Sequence, residues 1–334
     1  MEYDFEHDRV AREIKERGWK RVLLQFPEGI KSSAFAVERE LVARGVEELV
    51  ISGDPCFGAC DLALDPLRYG GADGLVHYGH SPIPSISVPD VIYVELRAQV
   101  PVNDLISEAV SFLREMGYGR ESRIGIIASI QHIHTVATAC EILSEHFVCT
   151  VGKGDDRVVH PGQVLGCNFS SARAVDVDAY LFIGSGNFHP LGAALATGKA
   201  VIVADPYSGK IRDISESRER MLRKRFARIT AAEDASSFGI LVGTKIGQWR
   251  MEEALRLRDL AADCGKEAHI ITMNFFTPEQ MGAFSVDAWV STSCPRVAVD
   301  ESARYDKPLL TPPEFEIVLG VRDWEDYVFD EIIG

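Results

Sequence analysis

The chain repeats one pattern three times, and this repeat limits the possible fold more than any other feature. Each copy contains a short apolar run, a polar turn, a stretch with helical periodicity and a second apolar run. A third apolar run follows, preceded each time by an aspartate: Asp73, Asp178 and Asp287. Strands that alternate with helices form parallel βαβ units. The sequence therefore predicts an α/β protein of three related small domains, each with a parallel sheet of about four strands flanked by helices, around a pseudo-threefold axis.

We place the three domains at residues 1–104, 105–215 and 216–334. Their first strands are "RVLLQF", "RIGIIAS" and "FGILVGT", and a length of 334 residues fits more than one domain. In open parallel sheets, ligands bind beyond the carboxyl ends of the strands. Residues that directly follow strands are therefore the candidates for function.

Composition and charge argue against several functions. No apolar run approaches the roughly 18 residues that a membrane helix needs, and the acidic start "MEYDFEHDRV" is unlike a signal peptide. We therefore expect a cytoplasmic protein with no membrane association. In that compartment seven cysteines favour free thiols, catalysis or metal binding over disulfides. The formal net charge of −15 argues against direct binding of nucleic acid, which usually needs a basic surface.

The seven cysteines fall into two groups. Three lie within predicted helices or strands, where a free cysteine usually packs as a small apolar residue: Cys140, Cys149 and Cys264. Four lie in loops, with at least one in each predicted domain: Cys56, Cys60, Cys167 and Cys294. If the three sheet edges face a common axis, thiolates from the three domains can meet there. Such a group would suit an iron–sulfur cluster or a soft metal, and the spacing alone leaves both open.

Motifs of other enzyme classes do not explain these residues. The sequence contains no Walker loop, and "GSGNFHPLG" has His189 in place of the third glycine of a dinucleotide-binding fingerprint. The pairs His77/His80 and His132/His134 have no cysteine or acidic partner at the spacing of a zinc finger. We expect these histidines to be hydrogen-bonded within their loops.

Seven segments make the chain similar to a known family. In chain order they are "LLQFPEGI", "SGDPCFGACD", "GCNF", "IGSGNFHPLGAALAT", "DPYS", "GILVGTKIGQWR" and "STSCPR". With these segments the sequence resembles the diphthamide-synthesis enzymes that make 2-(3-amino-3-carboxypropyl)histidine, in particular the archaeal homodimeric form. The resemblance extends over nearly the whole chain.

The resemblance implies three related α/β domains that hold one [4Fe–4S] cluster by one cysteine from each. Matched onto the family pattern, the ligands are Cys60, Cys167 and Cys294. Cys56 shares a loop with Cys60 but not the ligand position, so we expect a packed thiol there. Three cysteines leave one of the four irons without a protein ligand. That iron would be a site for substrate, because a catalytic metal site keeps one coordination position free of protein ligands.

The resemblance also implies the reaction. S-adenosylmethionine would be the substrate, and one electron from the reduced cluster would break the bond between its sulfur and Cγ. The 3-amino-3-carboxypropyl group would be transferred to C2 of a histidine in translation elongation factor 2, which would release methylthioadenosine. An external one-electron donor would be needed to reduce the cluster, while the protein would position the reacting carbon.

Polar residues at predicted strand ends are candidates for binding S-adenosylmethionine. Arg296 could pair with the methionyl carboxylate, since a guanidinium is a planar bidentate donor. The candidates are Gln25, Glu28, Asp54, His80, Ser185, Asn187, His189, Gln248 and Arg296. Asp61 and Lys245 lie at the same predicted edges. For each of them, a hydrogen bond within its own loop is the alternative.

Two other functions remain open at this point. One is a condensing enzyme similar to quinolinate synthase, which also has three α/β domains and a three-cysteine [4Fe–4S] cluster but does not use S-adenosylmethionine. The other is a non-catalytic iron–sulfur sensor built on the same repeat. Cleavage of S-adenosylmethionine to methylthioadenosine would distinguish the proposed transferase from both.

Overall fold

Three separate sheets follow one another along the chain in a computed structural model, which describes residues 3–334. The elements of the first are α1 (His7–Glu16), β1 (Arg21–Gln25), α2 (Ala34–Ala43), β2 (Glu48–Ile51), α3 (Leu64–Tyr69), β3 (Gly74–Tyr78) and β4 (Val91–Val94). The strand order is β2-β1-β3-β4, and every pair is parallel. Val22 and Leu24 belong to the core with α1 and α2, whereas Leu23 belongs to the core beside α3. Both faces of this sheet are therefore covered, as is usual for parallel sheets.

The second sheet differs from the prediction by one added strand. Its elements are α4 (Asn103–Glu115), β5 (Arg123–Ala128), α5 (Val136–Ser144), β6 (Val148–Thr150), α6 (Ser170–Arg173), β7 (Ala179–Ile183), α7 (Phe188–Thr197), β8 (Ala200–Asp205) and β9 (Lys210–Asp213). The order is β6-β5-β7-β8-β9, in which β9 is antiparallel to β8. The chain reverses because the Asp205 carboxylate accepts a hydrogen bond from the Tyr207 amide at 3.0 Å and Gly209 adopts a φ of 64°. A tight turn of this kind favours an antiparallel hairpin.

The third sheet again has four parallel strands, in the order β11-β10-β12-β13. Its elements are α8 (Ser215–Thr230), β10 (Ser237–Gly243), α9 (Met251–Asp263), β11 (Glu267–Met273), α10 (Pro278–Gly282), β12 (Ala288–Ser291), α11 (Pro295–Val299), β13 (Leu309–Leu310) and α12 (Pro312–Val318). Within residues 3–334, no helix is both long enough and apolar enough to cross a membrane.

The repeated aspartates fasten the third strand of each sheet to the first. Their carboxylates accept backbone hydrogen bonds in three equivalent pairs: Asp73 from Arg21 at 2.9 Å, Asp178 from Arg123 at 2.8 Å, and Asp287 from Ser237 at 2.9 Å. These contacts lie at the amino ends of the strands. The aspartates are therefore structural residues, at the edge opposite to the one where ligands bind in such sheets.

Each sheet lies within one of the three predicted domain ranges. The boundaries at 104/105 and 215/216 fall in the first turns of α4 and α8. Buried residues of α4 join the core of the second sheet, and Ile229 of α8 joins that of the third. The packing thus assigns each of these helices to the domain that follows it, whereas the exact boundaries stay predictions.

Candidate functional site

Thiols from all three domains lie close enough together for the charge of one to shift the pKa of another. Cys60 lies in the loop after β2, Cys167 precedes α6, and Cys294 is the residue before α11. Burial, and then the neighbouring Cys167 and Cys60, raise the pKa of Cys294 well above its ordinary value. Cys167 is buried, whereas Cys60 and Cys294 are partly exposed. The fold thus brings together one cysteine from each domain, at the edge where the strands end.

The loop after β10 packs tightly onto Cys60. The Gly247 amide donates to the Cys60 carbonyl at 3.0 Å. A Cβ added at Gly247 would lie 2.4 Å from the Cβ of Cys60, which is closer than real atoms approach. The third domain therefore holds the first-domain cysteine through backbone contact, and this contact requires glycine.

Gln248 connects the loops of two of these cysteines. Its Nε2 lies 3.4 Å from Cys60 Sγ, while its Oε1 accepts a hydrogen bond from the Ser293 hydroxyl at 2.7 Å. Ser293 directly precedes Cys294. The buried Gln248 amide therefore orients both loops. Its contact with S-adenosylmethionine stays a prediction.

Arg157 is a functional candidate that sequence reasoning missed. Its side chain is buried, and its Nη2 lies 3.2 Å from the Gly247 carbonyl and 3.9 Å from Cys167 Sγ. Burial raises the pKa of Cys167 to about 12, while the charge of Arg157 acts in the opposite direction. The surrounding segment "GKGDDRVVH" contains no motif that would have identified it.

The last residues of the chain pack against the Cys167 loop. The Ile332 amide donates to the Cys167 carbonyl at 2.8 Å, and the Asn168 side chain donates to the Ile332 carbonyl at 3.0 Å. Asp330 accepts from Arg250 at 2.9 Å. Residues 330–332 thereby join the Cys167 loop to the third domain, a long-range contact that no local pattern indicated.

A hydrogen-bonded chain of side chains runs from Gln25 to His80. The Ala63 amide donates to Gln25 Oε1 at 3.2 Å, which fits its assignment as the amide oxygen. Because an amide oxygen can only accept, His77 Nδ1, which lies 2.8 Å away, donates a hydrogen bond to it. His77 therefore carries its proton on Nδ1, and its Nε2 accepts from His80 Nδ1 at 3.0 Å. His80 Nε2 is consequently the unprotonated nitrogen of that ring. Burial lowers the pKa of His80 to about 4, so the ring is neutral at physiological pH.

Cys56, His77 and His80 also form a possible metal-binding group. One ligand atom of each lies within 4.8 Å of the others. However, both ring nitrogens of His77 already have hydrogen-bond partners, as predicted. The prediction is wrong for His132, whose two ring nitrogens are buried without a hydrogen-bond partner among residues 3–334 and whose ring packs against Tyr207. Burial raises the pKa of Cys56 to about 12, so this thiol is protonated. That it has no role in a cluster stays a prediction.

Three of the predicted substrate-binding residues approach one another from different domains. Burial, and then the nearby Arg296 and His80, lower the pKa of His189 to about 4. The Arg296 guanidinium lies 4.5 Å from the centre of the Phe188 ring, and its Nε donates to Asp300 at 3.0 Å. His80, His189 and Arg296 therefore surround the same edge as the cysteines.

The remaining candidates have other surroundings. Gln25 is fully engaged in the first domain, and buried Asp61 and Lys245 form an ion pair at 2.9 Å. Glu28 pairs with Lys31, whose Nζ also donates to the Asp54 carbonyl. The exposed candidates are Glu28, Asp54, Ser185 and Asn187. Nothing in these contacts tests ligand binding, so each assignment stays a prediction.

The family model described as "Putative diphthamide synthesis protein" matches residues 26–328 of the chain. The chain belongs to the diphthamide-synthesis family. The resemblance drawn from its sequence motifs is thereby confirmed.

Relatives in the diphthamide-synthesis family match nearly the whole chain. The 2-(3-amino-3-carboxypropyl)histidine synthase of Pyrococcus horikoshii is 40% identical over 336 residues, which cover 100% of this chain and 95% of the relative. Subunit 1 of the synthase from Gallus gallus is 31% identical over 97% of this chain and 78% of the relative. The crystal structure of Dph2 from Pyrococcus horikoshii with a 4Fe-4S cluster superposes with a TM-score of 0.91 at 39% identity, over 100% of this chain and 95% of that one. The predicted fold class is confirmed by this likeness.

Proposed function

We propose that the chain is a 2-(3-amino-3-carboxypropyl)histidine synthase that catalyses the first step of diphthamide synthesis. The observation that carries this proposal is the meeting of Cys60, Cys167 and Cys294, one from each domain, at the ligand-binding edge. The similarity to named synthases over the full chain supports it. A condensing enzyme similar to quinolinate synthase, or an iron–sulfur sensor, has no comparable support.

The three cysteines would hold a [4Fe–4S] cluster, the group found in the crystal structure of the Pyrococcus horikoshii relative. The donor set fits, because three thiols converge beside a guanidinium. Thiols whose pKa is raised by burial release their protons when they bind a metal. Three cysteines would leave one iron without a protein ligand, and S-adenosylmethionine would bind there.

When bound, such a cluster supplies the single electron that cleaves the bond between the sulfur and Cγ of S-adenosylmethionine. The 3-amino-3-carboxypropyl group is transferred to C2 of a histidine in translation elongation factor 2, and methylthioadenosine is released. The hydrogen on C2 of that histidine leaves as a proton, and the one electron released with it would return to the cluster. The transfer is therefore redox-neutral overall and releases one proton.

Arg296 binds the methionyl carboxylate in this proposal. Its Nε is held by Asp300 and its guanidinium plane rests on Phe188, so the side chain is oriented before a ligand arrives. No hydrogen bond joins its Nη groups to residues 3–334 in the structure. A planar guanidinium with free donors suits a carboxylate.

His80 accepts the proton that leaves C2 of the target histidine. Its Nε2 is the nitrogen that the Gln25–His77 chain leaves without a proton. A Cβ added at Gly58 would lie 4.0 Å from His80 Nε2 and 3.4 Å from Cys60 Sγ, so this nitrogen and the thiol lie on the same side of the Cys60 loop, beside Gly58. Because the imidazole is neutral, this nitrogen has a lone pair that can accept a proton.

Several further parts of the proposal rest on the family resemblance. They are the homodimer, the external one-electron donor and translation elongation factor 2 as the protein substrate. The proposed location is the cytoplasm, where that substrate is found.

The proposal is tested by anaerobic reconstitution with iron and sulfide, reduction by dithionite, and incubation with S-adenosylmethionine and archaeal elongation factor 2. We expect the target histidine peptide to gain the mass of one 3-amino-3-carboxypropyl group. A loaded and reduced protein that leaves this peptide unmodified would overturn the proposal.

A further inference from the structure

Arg157 is a buried cation that lacks the usual kind of partner. Its side chain is 5% exposed, yet no carboxylate oxygen of residues 3–334 lies within 4.0 Å of its guanidinium. By contrast, buried Arg225 pairs with Glu314, and Arg250 pairs with Asp330. Removing a charge from water is costly, so buried cations are normally paired with an anion. Arg157 therefore needs an anion other than a carboxylate of residues 3–334 to balance its charge.

The groups that face Arg157 belong to the cysteine site. Its Nη2 contacts the Gly247 carbonyl at 3.2 Å and Cys167 Sγ at 3.9 Å. Its Nε is buried and has no hydrogen-bond partner in the structure. The charge also acts on Cys60, whose carbonyl accepts the Gly247 amide. The guanidinium thus contacts the middle-domain thiol and its charge acts on the first-domain thiol, and both thiols become negatively charged when they bind a metal.

We propose that Arg157 is the charge partner of the iron–sulfur cluster and raises its reduction potential. This inference rests on the proposed function, since it requires the cluster at Cys60, Cys167 and Cys294. Reduction adds one electron from the external donor and breaks no bond, so it increases the negative charge of the site by one. A nearby cation that donates to a ligand sulfur stabilises the reduced form more than the oxidised form.

The test is an anaerobic redox titration of the reconstituted full-length chain, followed by electron paramagnetic resonance of the reduced cluster. In R157Q, we expect the ratio of reduced to oxidised cluster at a fixed potential to fall at least tenfold, which corresponds to about 59 mV for a one-electron couple. K153Q is the matched control, because Lys153 lies in the same segment but is exposed to solvent. Its midpoint should equal that of the wild type, since water and salt screen an exposed charge.

Two further results complete the test. Loss of iron from a folded R157Q chain would also support the inference, because the site would then lack its balancing charge. If R157Q does not fold, R157M decides: it removes the charge and leaves no unpaired polar group in the buried space, so its midpoint should also lie below the wild-type value. A wild-type midpoint in fully loaded R157Q, or in R157M where only that variant folds, would overturn the inference.

The result also separates this inference from the proposed function. A wild-type chain that holds no cluster would contradict the proposed function itself. A wild-type chain that holds the cluster and forms methylthioadenosine, beside an R157Q midpoint equal to its own, would contradict only the role of Arg157.

Discussion

Gly247 and Cys60 lie in backbone contact across two domains: a Cβ on Gly247 would lie 2.4 Å from the Cβ of Cys60 and 2.5 Å from its Cα. In Gly247→Ala, one of the two loops has to move, and Cys60 then leaves its position relative to the other cysteines. We expect this variant to fold but to hold much less iron after reconstitution. Gly53→Ala is the control, because nothing lies within 4 Å of a Cβ at that position of the same loop. Equal iron contents in the two variants would contradict the role assigned to this contact.

Cluster ligation separates the cysteines into two classes. Replacement of Cys60, Cys167 or Cys294 by alanine should each abolish the visible absorbance of a [4Fe–4S] cluster, because two ligands cannot hold it. Cys56→Ala should retain that absorbance. Cys264→Ala serves as a control, since this residue follows α9 in the third domain. Retention in Cys60→Ala with loss in Cys56→Ala would reverse the assignment of the two neighbouring thiols.

His80→Gln should uncouple cleavage from transfer. The variant keeps the cysteines and a polar side chain but has no imidazole nitrogen to accept the C2 proton. General-base catalysis typically contributes about 10²–10⁴-fold, so the ratio of modified elongation factor 2 to methylthioadenosine should fall by at least tenfold. The exposed His269 provides the control substitution, His269→Gln. An unchanged ratio in His80→Gln would show that another group takes the proton.

The repeated aspartates should stabilise the fold rather than support catalysis. Hydrogen bonds from the Ser236 backbone, and then from Ser237, hold the pKa of Asp287 below its ordinary value. An Asp carboxyl in the unfolded chain has a pKa of about 3.9, so this stabilisation is complete above that pH. It is lost as the pH falls towards the lower pKa that Asp287 has in the folded protein. Asp287→Ala should therefore melt at a lower temperature than the wild type at pH 7. The difference should narrow as the pH falls below about 4.

The control for this prediction is Asp263→Ala, since Asp263 is exposed at the end of α9. Its melting temperature should stay near that of the wild type at both pH values. A loss of stability in Asp287→Ala that is the same at pH 3 and pH 7 would show that the carboxylate charge is not responsible.

The sheets could be predicted because their signals are local. Apolar runs, helical periods and Asp73, Asp178 and Asp287 all lie within one βαβ unit, and the structure has a sheet in each predicted range. The fifth strand of the middle sheet was missed because it depends on the turn around Gly209 rather than on a long apolar run. Its four residues, Lys210–Asp213, include only one apolar side chain.

The supporting residues of the site could not be predicted from local patterns. Arg157 contacts the carbonyl of a residue 90 positions away, and Ile332 contacts the Cys167 loop from the far end of the chain. In the sequence Gly247 looks like an ordinary loop glycine, and only the structure shows its close backbone contact with Cys60. Such roles depend on how three domains pack together, and the sequence of any one domain does not encode that packing in a recognisable motif.

The central claim is that three cysteines from three domains hold a cluster that cleaves S-adenosylmethionine at Cγ. The most direct measurement is the identity of the nucleoside product when the reconstituted, dithionite-reduced chain is incubated with S-adenosylmethionine under argon. We predict methylthioadenosine from the wild type and none from the Cys60, Cys167 or Cys294 variants. 5′-Deoxyadenosine as the only product, or no cleavage by a fully loaded and reduced cluster, would contradict it.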